Sequence, residues 1–136
     1  LDTASTLEVM GADVVVVRHS VPGSAEFLAR NLKASVLNGG DGAHAHPTQA
    51  LLDMYTIKEK KGEINGLKVL IIGDIAHSRV ARSNIWGLTK LGAEVRVVGP
   101  ATLIPVDIEK MGVKKYYNLD EALNGVDVVN VLRIQL

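Results

Sequence analysis

Apolar positions along this chain alternate between a period near two and a period near three and a half. Residues 13–18, Asp-Val-Val-Val-Val-Arg, form an uninterrupted β-branched run of the kind carried by parallel strands covered on both faces. Before it, Leu1, Ala4, Leu7 and Met10 fall on one helical face that Gly11 stops. After it, Ala25, Leu28, Ala29 and Leu32 mark the inner face of a helix over 22–32, and Val36-Leu37-Asn38 reads as a second short strand. A further helix opens at Pro47 with Ala50, Leu51, Met54, Tyr55 and Ile57 in an amphipathic arrangement. It ends in Lys58-Glu59-Lys60-Lys61 before Gly62, lysines complementing the helix dipole and glycine supplying the stop.

A second alternating unit begins with a strand at 67–74 and continues with a helix at 79–91 and a strand at 94–98. A helix around 105–111, a strand at 114–117, a helix at 119–123 and a last strand over 126–135 complete it. Strand and helix in alternation predict an α/β fold, with parallel sheets flanked by helices through right-handed crossovers and a Rossmann-like second lobe. The polar, glycine-flanked stretch at 62–66 is the natural division. The chain is thus read as parts of two domains, 1–46 and 66–136, joined by a linking helix and connector at 47–65.

Composition narrows the partners more than it changes the fold. With 136 residues there is room for one ordinary domain or pieces of two. Formal net charge is zero, which removes the electrostatic case for nucleic acid or an anionic membrane. Cysteine is absent, so neither a disulfide framework nor thiolate chemistry is available. No apolar run reaches the roughly 18 to 20 residues of a membrane span, and the expectation is a soluble, cytoplasmic protein. Because the chain opens at Leu1 inside a helical pattern, it is also expected to be an internal portion of something longer.

The chemistry gathers around Gly39-Gly40-Asp41-Gly42-Ala43-His44-Ala45-His46-Pro47-Thr48-Gln49, a glycine-rich loop entering a proline-opened helix. Pro47 has no amide hydrogen to lose in a first turn, so the helix starts at His46 or Pro47. His46 then stands at a helix mouth, where unpaired amides suit an anion or a polarised carbonyl oxygen, and Gln49 shares its face one turn on. Spacing alone leaves open whether His46 binds or merely caps. Arg18 and His19 follow the valine run at a carboxyl strand end, where open α/β sheets bind ligands. The turn at 73–79, Gly-Asp-Ile-Ala-His-Ser-Arg, lacks the glycines a dinucleotide pyrophosphate requires, which argues against a nicotinamide cofactor. No Walker loop or nucleophile elbow is present, and His44 and His46 have no third metal ligand near them in sequence.

Together Val-Val-Arg-His at 16–19, Leu-Asn-Gly-Gly-Asp-Gly at 37–42, His-Pro-Thr-Gln at 46–49, Gly-Asp-Ile-Ala-His-Ser-Arg at 73–79 and Leu-Arg-Ile-Gln at 132–135 resemble the aspartate carbamoyltransferase catalytic chain, in order and through essentially the whole sequence. The resemblance implies two α/β domains facing each other across a cleft, and transfer of a carbamoyl group from carbamoyl phosphate to the amino group of L-aspartate, the second step of pyrimidine biosynthesis. Arg18, His46 and Gln49 correspond to carbamoyl phosphate contacts, with Arg18 and His46 as the catalytic pair. Arg79, Arg133 and Gln135 correspond to aspartate contacts. It implies no metal, no cofactor, a cytoplasmic homotrimer as the full-length chain, and leaves open whether regulatory subunits attach. The family's Ser-Thr-Arg-Thr motif, the serine and lysine loop lent by a neighbouring subunit, and a His-Pro-Leu-Pro-like motif do not occur in this sequence, so the segment alone is expected to be inactive. An ornithine-type carbamoyltransferase and a non-catalytic module of the same fold are the alternatives. Arginine at 79 favours aspartate, since it would repel an ornithine side chain.

Overall fold

The computed structural model describes residues 1–133. The chain runs α1 (Asp2–Val9), β1 (Val14–His19), α2 (Ser24–Asn31), β2 (Ser35–Asp41), α3 (Pro47–Lys61), β3 (Lys68–Ile72), α4 (Arg79–Lys90), β4 (Glu94–Val98), β5 (Lys114–Tyr116), α5 (Leu119–Leu123) and β6 (Val128–Val131). β1 and β2 form a two-stranded parallel sheet, and a second parallel sheet has the order β5-β4-β3-β6. The expected α/β alternation is therefore present in both units.

The second sheet carries most of the core. Val69, Leu70 and Ile71 of β3 are fully enclosed; Val95 and Val97 of β4 join Ala81, Ile85 and Leu88 of α4 around Val69 and Ile71, while Leu70 packs in a second cluster with Val98 and Ala122. Ser78 starts α4 at a defined point, its Oγ accepting the Ala81 amide hydrogen at 3.1 Å. Asn118 does the same for α5, accepting from Asp120 at 2.9 Å. Chain order matters for the site. β3, β4 and β5 are laid down outward in one direction, and β6 then returns to the other side of β3. Strand order reverses between β3 and β6, and the crevice beyond the carboxyl ends at such a reversal is where open α/β sheets bind ligands.

α3 connects the two units. Its first turn follows β2, while Ile57 near its far end is buried in the core of the second sheet. Gly62, at φ +86°, ends it as the sequence predicts.

Several expectations need correction. Among the described residues β1 pairs with β2 alone and is not covered on both faces, Val14 and Val16 being exposed while Val15 and Val17 are half-buried. The valine run reports strand propensity, not coverage. Of the expected inner face of α1 only Ala4 is buried, and Leu1, Leu7 and Met10 are exposed. In α3, Ala50 and Ile57 are buried but Leu51 and Tyr55 are not. Residues 105–111 do not form an α-helix. Short 3-10 turns at Ala101–Leu103 and Ile108–Met111 replace it, because Pro105 and the left-handed Gly112 bracket too few residues to establish α-helical bonding. Gly39 and Gly40 belong to the end of β2 rather than to a loop. Within the described residues the last strand spans Val128–Val131, and positions 134–135 of the expected strand lie outside them.

Candidate functional site

A cleft of about 770 Å³ opens at the β3/β6 reversal, between the second sheet, the start of α3 and the carboxyl end of β1. Arg18, His46, Gln49, Arg79 and Arg133 all line it, although they come from four separate stretches of the chain. Gln135 lies outside the described residues. Arg18 is the penultimate residue of β1 and Arg79 opens α4 after the β3 turn. Arg133 follows β6, whose pairing with β3 continues to the cleft edge through the Leu132 amide donating to the Ile72 carbonyl at 2.8 Å.

Pro47 occupies the first turn of α3 and His46 is its N-cap, yet the His46 side chain makes no capping bond. Its backbone amide instead donates to Ser83 Oγ of α4 at 2.9 Å, which fixes the residue and leaves the ring at the cleft. The Thr48 hydroxyl lies 3.3 Å from His46 Nδ1 and 3.4 Å from the Asn38 carbonyl. Burial, then the nearby charges of Arg79 and Arg18, hold the His46 pKa below its ordinary 6.5, against a smaller opposing pull from Asp53. At neutral pH the ring is thus neutral.

The glycines at 40 and 42 serve a purpose that spacing did not reveal. Arg79 reaches across from α4, and its Nη1 donates to the Gly42 carbonyl at 2.8 Å. A Cβ on Gly40, whose φ is +138°, would stand 3.3 Å from the guanidinium carbon and both terminal nitrogens. At Gly42, with φ +52°, a Cβ would come within 2.7 Å of the Ser20 carbonyl oxygen. These glycines make room for an arginine and a tight turn. Asp41 between them is buried, accepting the Gly23 amide hydrogen at 2.8 Å and standing 3.3 Å from His44 Nδ1.

Arg18 and His19 part company. Arg18 faces the cleft, whereas His19 Nδ1 accepts the Val21 amide hydrogen at 3.0 Å and lies 3.0 Å from Ser24 Oγ, so His19 organises the turn into α2.

The cleft also holds residues that the sequence reading passed over: Asp53, His77, Ser78 and Asn130. His77 is tied to the fully buried Asp74 through its amide at 3.0 Å and its Nδ1 at 3.0 Å. Asp53, in the second turn of α3, accepts from Gln49 Nε2 at 2.8 Å and from Asn84 Nδ2 at 2.7 Å, with Asn130 Nδ2 at 3.4 Å. A lone Asn inside Val-Val-Asn-Val was the available signal for Asn130; Asp53 carried none, since Asp on an amphipathic helix ordinarily faces solvent. Among the described residues, no cluster of His, Cys, Asp or Glu is arranged to hold a metal ion, and no helix is long and apolar enough to cross a membrane.

Residues 1–59 match the family described as aspartate/ornithine carbamoyltransferase, carbamoyl-P binding domain. The whole chain is 85% identical to an aspartate carbamoyltransferase catalytic subunit of Halothermothrix orenii, of which it covers 44%. Among solved structures, it superposes with a TM-score of 0.85 on the catalytic subunit of M. jannaschii aspartate transcarbamoylase, at 34% identity, covering 98% of this chain and 46% of that one. Aspartate transcarbamoylase from Trypanosoma cruzi, solved in complex with carbamoyl phosphate and aspartate, matches with a TM-score of 0.87 at 32% identity, covering 98% of this chain and 46% of that one. The chain therefore spans less than half the length of the relatives it matches.

Proposed function

We propose, for a chain that belongs to the aspartate carbamoyltransferase catalytic-subunit family, that its cleft supplies both substrate sides of carbamoyl transfer in the full-length protein. The substrates are carbamoyl phosphate and L-aspartate, and the products N-carbamoyl-L-aspartate and phosphate. The observation that carries this reading is the convergence of Arg18 and His46 from one unit and Gln49 from the linking helix with Arg79 and Arg133 from the other unit on a single cleft at the strand-order reversal.

The chemistry follows from these groups. The aspartate amine attacks the carbamoyl carbon, negative charge grows on the carbonyl oxygen, and the tetrahedral species collapses as its C–O bond to phosphate breaks, the departing phosphate taking the proton the amine gives up. Neutral His46 donates a hydrogen bond to that oxygen rather than abstracting a proton, and Arg18 supports the oxygen and the phosphate beside it. Gln49 accepts from the carbamoyl NH₂ through its side-chain carbonyl. Arg79 and Arg133 match the aspartate carboxylates in the manner of guanidinium forks, with Gln135 as a third contact. Orientation and charge stabilisation carry the rate, without a cofactor or covalent intermediate. The domain division at 46 and 65, a homotrimeric full-length chain and a cytoplasmic location belong to the same proposal.

The test uses the full-length chain. Production of N-carbamoyl-L-aspartate from carbamoyl phosphate and aspartate, with no product from ornithine, is the expected result. Turnover of ornithine in place of aspartate would move the chain to the ornithine-type reading. Ligand binding without turnover of either amine would leave a non-catalytic module.

A further inference from the structure

Gln49 can read a carbamoyl NH₂ only if its amide is turned the right way. A glutamine amide rotated by half a turn presents a donor where an acceptor is needed, and the two ends are nearly equal in shape. Something in the cleft wall must therefore decide the orientation, and the groups around Gln49 identify it.

Asp53 lies one turn beyond Gln49 on α3, and the two side chains meet at 2.8 Å. A carboxylate accepts hydrogen bonds and donates none, so the Gln49 atom that faces Asp53 Oδ1 has to be the nitrogen. That leaves Gln49 Oε1 as the free branch of an amide lining the cleft. On an exposed helix such a pair would contribute only a few tenths of a kcal/mol. Here Asp53 is anchored from elsewhere. Its second oxygen takes a hydrogen from Asn84 Nδ2 at 2.7 Å and faces Asn130 Nδ2 at 3.4 Å, so α4 and β6 both hold the carboxylate in place. Asn84 is completely buried, and its Oδ1 has no hydrogen-bond partner among the described residues. Such an orphaned acceptor is costly, and its retention beside a satisfied Nδ2 points to a side chain placed for the bond to Asp53.

We propose that Asp53 is a positioning residue for the carbamoyl group. Held by Asn84 and Asn130, it fixes the Gln49 amide with its carbonyl oxygen toward the donor's NH₂, and so confers preference for a carbamoyl over an acyl phosphate. The proposal rests on the carbamoyl transfer reading above.

The experiment compares carbamoyl phosphate, acetyl phosphate and inorganic phosphate as ligands of the full-length chain by calorimetry. Acetyl phosphate carries a methyl group where carbamoyl phosphate carries NH₂. Asp53→Asn introduces a donor into a site built to accept, so either Gln49 or Asn84 must turn. The wild type is expected to prefer carbamoyl to acetyl phosphate. Asp53→Asn should lower that preference about tenfold, the value of one hydrogen bond, whatever uniform change in anion affinity the lost charge brings. Asp53→Asn should lower it no further in a Gln49→Ala background. Should Asp53→Asn fail to fold, Asp53→Glu keeps the charge, displaces the acceptors by a methylene, and is expected to lose the preference in the same way.

A preference unchanged in both Asp53→Asn and Asp53→Ala, or a further loss in the Gln49→Ala background, would overturn the assignment, because Asp53→Ala leaves Gln49 no acceptor whichever way Asn84 turns, and a role in packing alone weakens all three ligands alike. A wild-type chain that binds carbamoyl phosphate no better than inorganic phosphate would instead defeat the carbamoyl reading on which the assignment depends.

Discussion

His46 is the residue whose position says most about the cleft. Its backbone serves the helix start and its ring does not, since the amide is spent on Ser83 while the side chain makes no capping bond. The sequence left those two roles undivided, because Pro47 predicts where a helix begins but not where the preceding side chain turns. The depressed pKa has a consequence for stability. In the folded chain His46 takes up a proton at lower pH than its ordinary 6.5, so between the two values the unfolded chain binds more protons and stability rises with pH. His46 therefore adds a penalty as pH falls through the histidine range. The thermal midpoint of the full-length chain should drop more in the wild type than in His46→Gln between about pH 7.5 and about pH 5.5. Equal drops, or a larger one in the variant, would contradict the neutral ring. Thr48, to which the sequence assigned no role, donates to the Asn38 carbonyl and lies within reach of His46 Nδ1.

Among the elements, those with strong punctuation were legible. α3 begins at Pro47, β4 spans Glu94–Val98 and α5 spans Leu119–Leu123, each where the sequence places it. Pro47, Gly99-Pro100 and Asn118 mark those limits by local chemistry that tertiary packing has no reason to override. The stretch at 105–111 was misread as a helix: Pro105 and the left-handed Gly112 leave too little chain between them for more than the short 3-10 turn at Ile108–Met111. Arg96 shows what periodicity hides at this scale. It lies on the otherwise apolar β4 and is buried, with Nη1 donating to the Ala122 and Asn124 carbonyls at 3.2 and 2.7 Å and Nε to Glu94 at 2.8 Å. It thereby ties α5 to the sheet. Lys114 on β5 completes the cluster, 3.0 Å from the other Glu94 oxygen. Hydrogen bonds from Lys114 and then Arg96 hold the Glu94 carboxyl below its usual 4.5. That interaction stabilises the fold above the ordinary carboxylate range and is lost as pH falls through the depressed value. Glu94→Gln should cost about 1 kcal/mol at neutral pH, with wild type and variant converging in urea unfolding as the pH approaches about 3. A gap that persists in acid would assign the loss to packing instead.

Across the whole molecule, the order β5-β4-β3-β6 is what makes a cleft. Sequence alternation predicted parallel sheets, but only the three-dimensional order shows that the β3 and β6 ends adjoin and bring the turn at 73–79 beside Arg133. The lobes are joined there by polar contacts: Arg79 to the Gly42 carbonyl, Ser83 to the His46 amide, and Asn84 with Asn130 to Asp53. None of these has a periodicity, so none was legible. The glycine-rich stretch was conspicuous in the sequence, yet the partner that needs Gly40 is an arginine 39 positions away in the chain.

Aspartate saturation kinetics of the full-length chain carrying Arg79→Ala test the two-sided cleft most directly. Removing one member of a close charge pair costs about 2–5 kcal/mol. The KM for aspartate is therefore expected to rise at least about thirtyfold, while the affinity for carbamoyl phosphate stays near the wild-type value. An unchanged KM for aspartate, or a loss shared equally by both substrates, would contradict the placement of aspartate against Arg79.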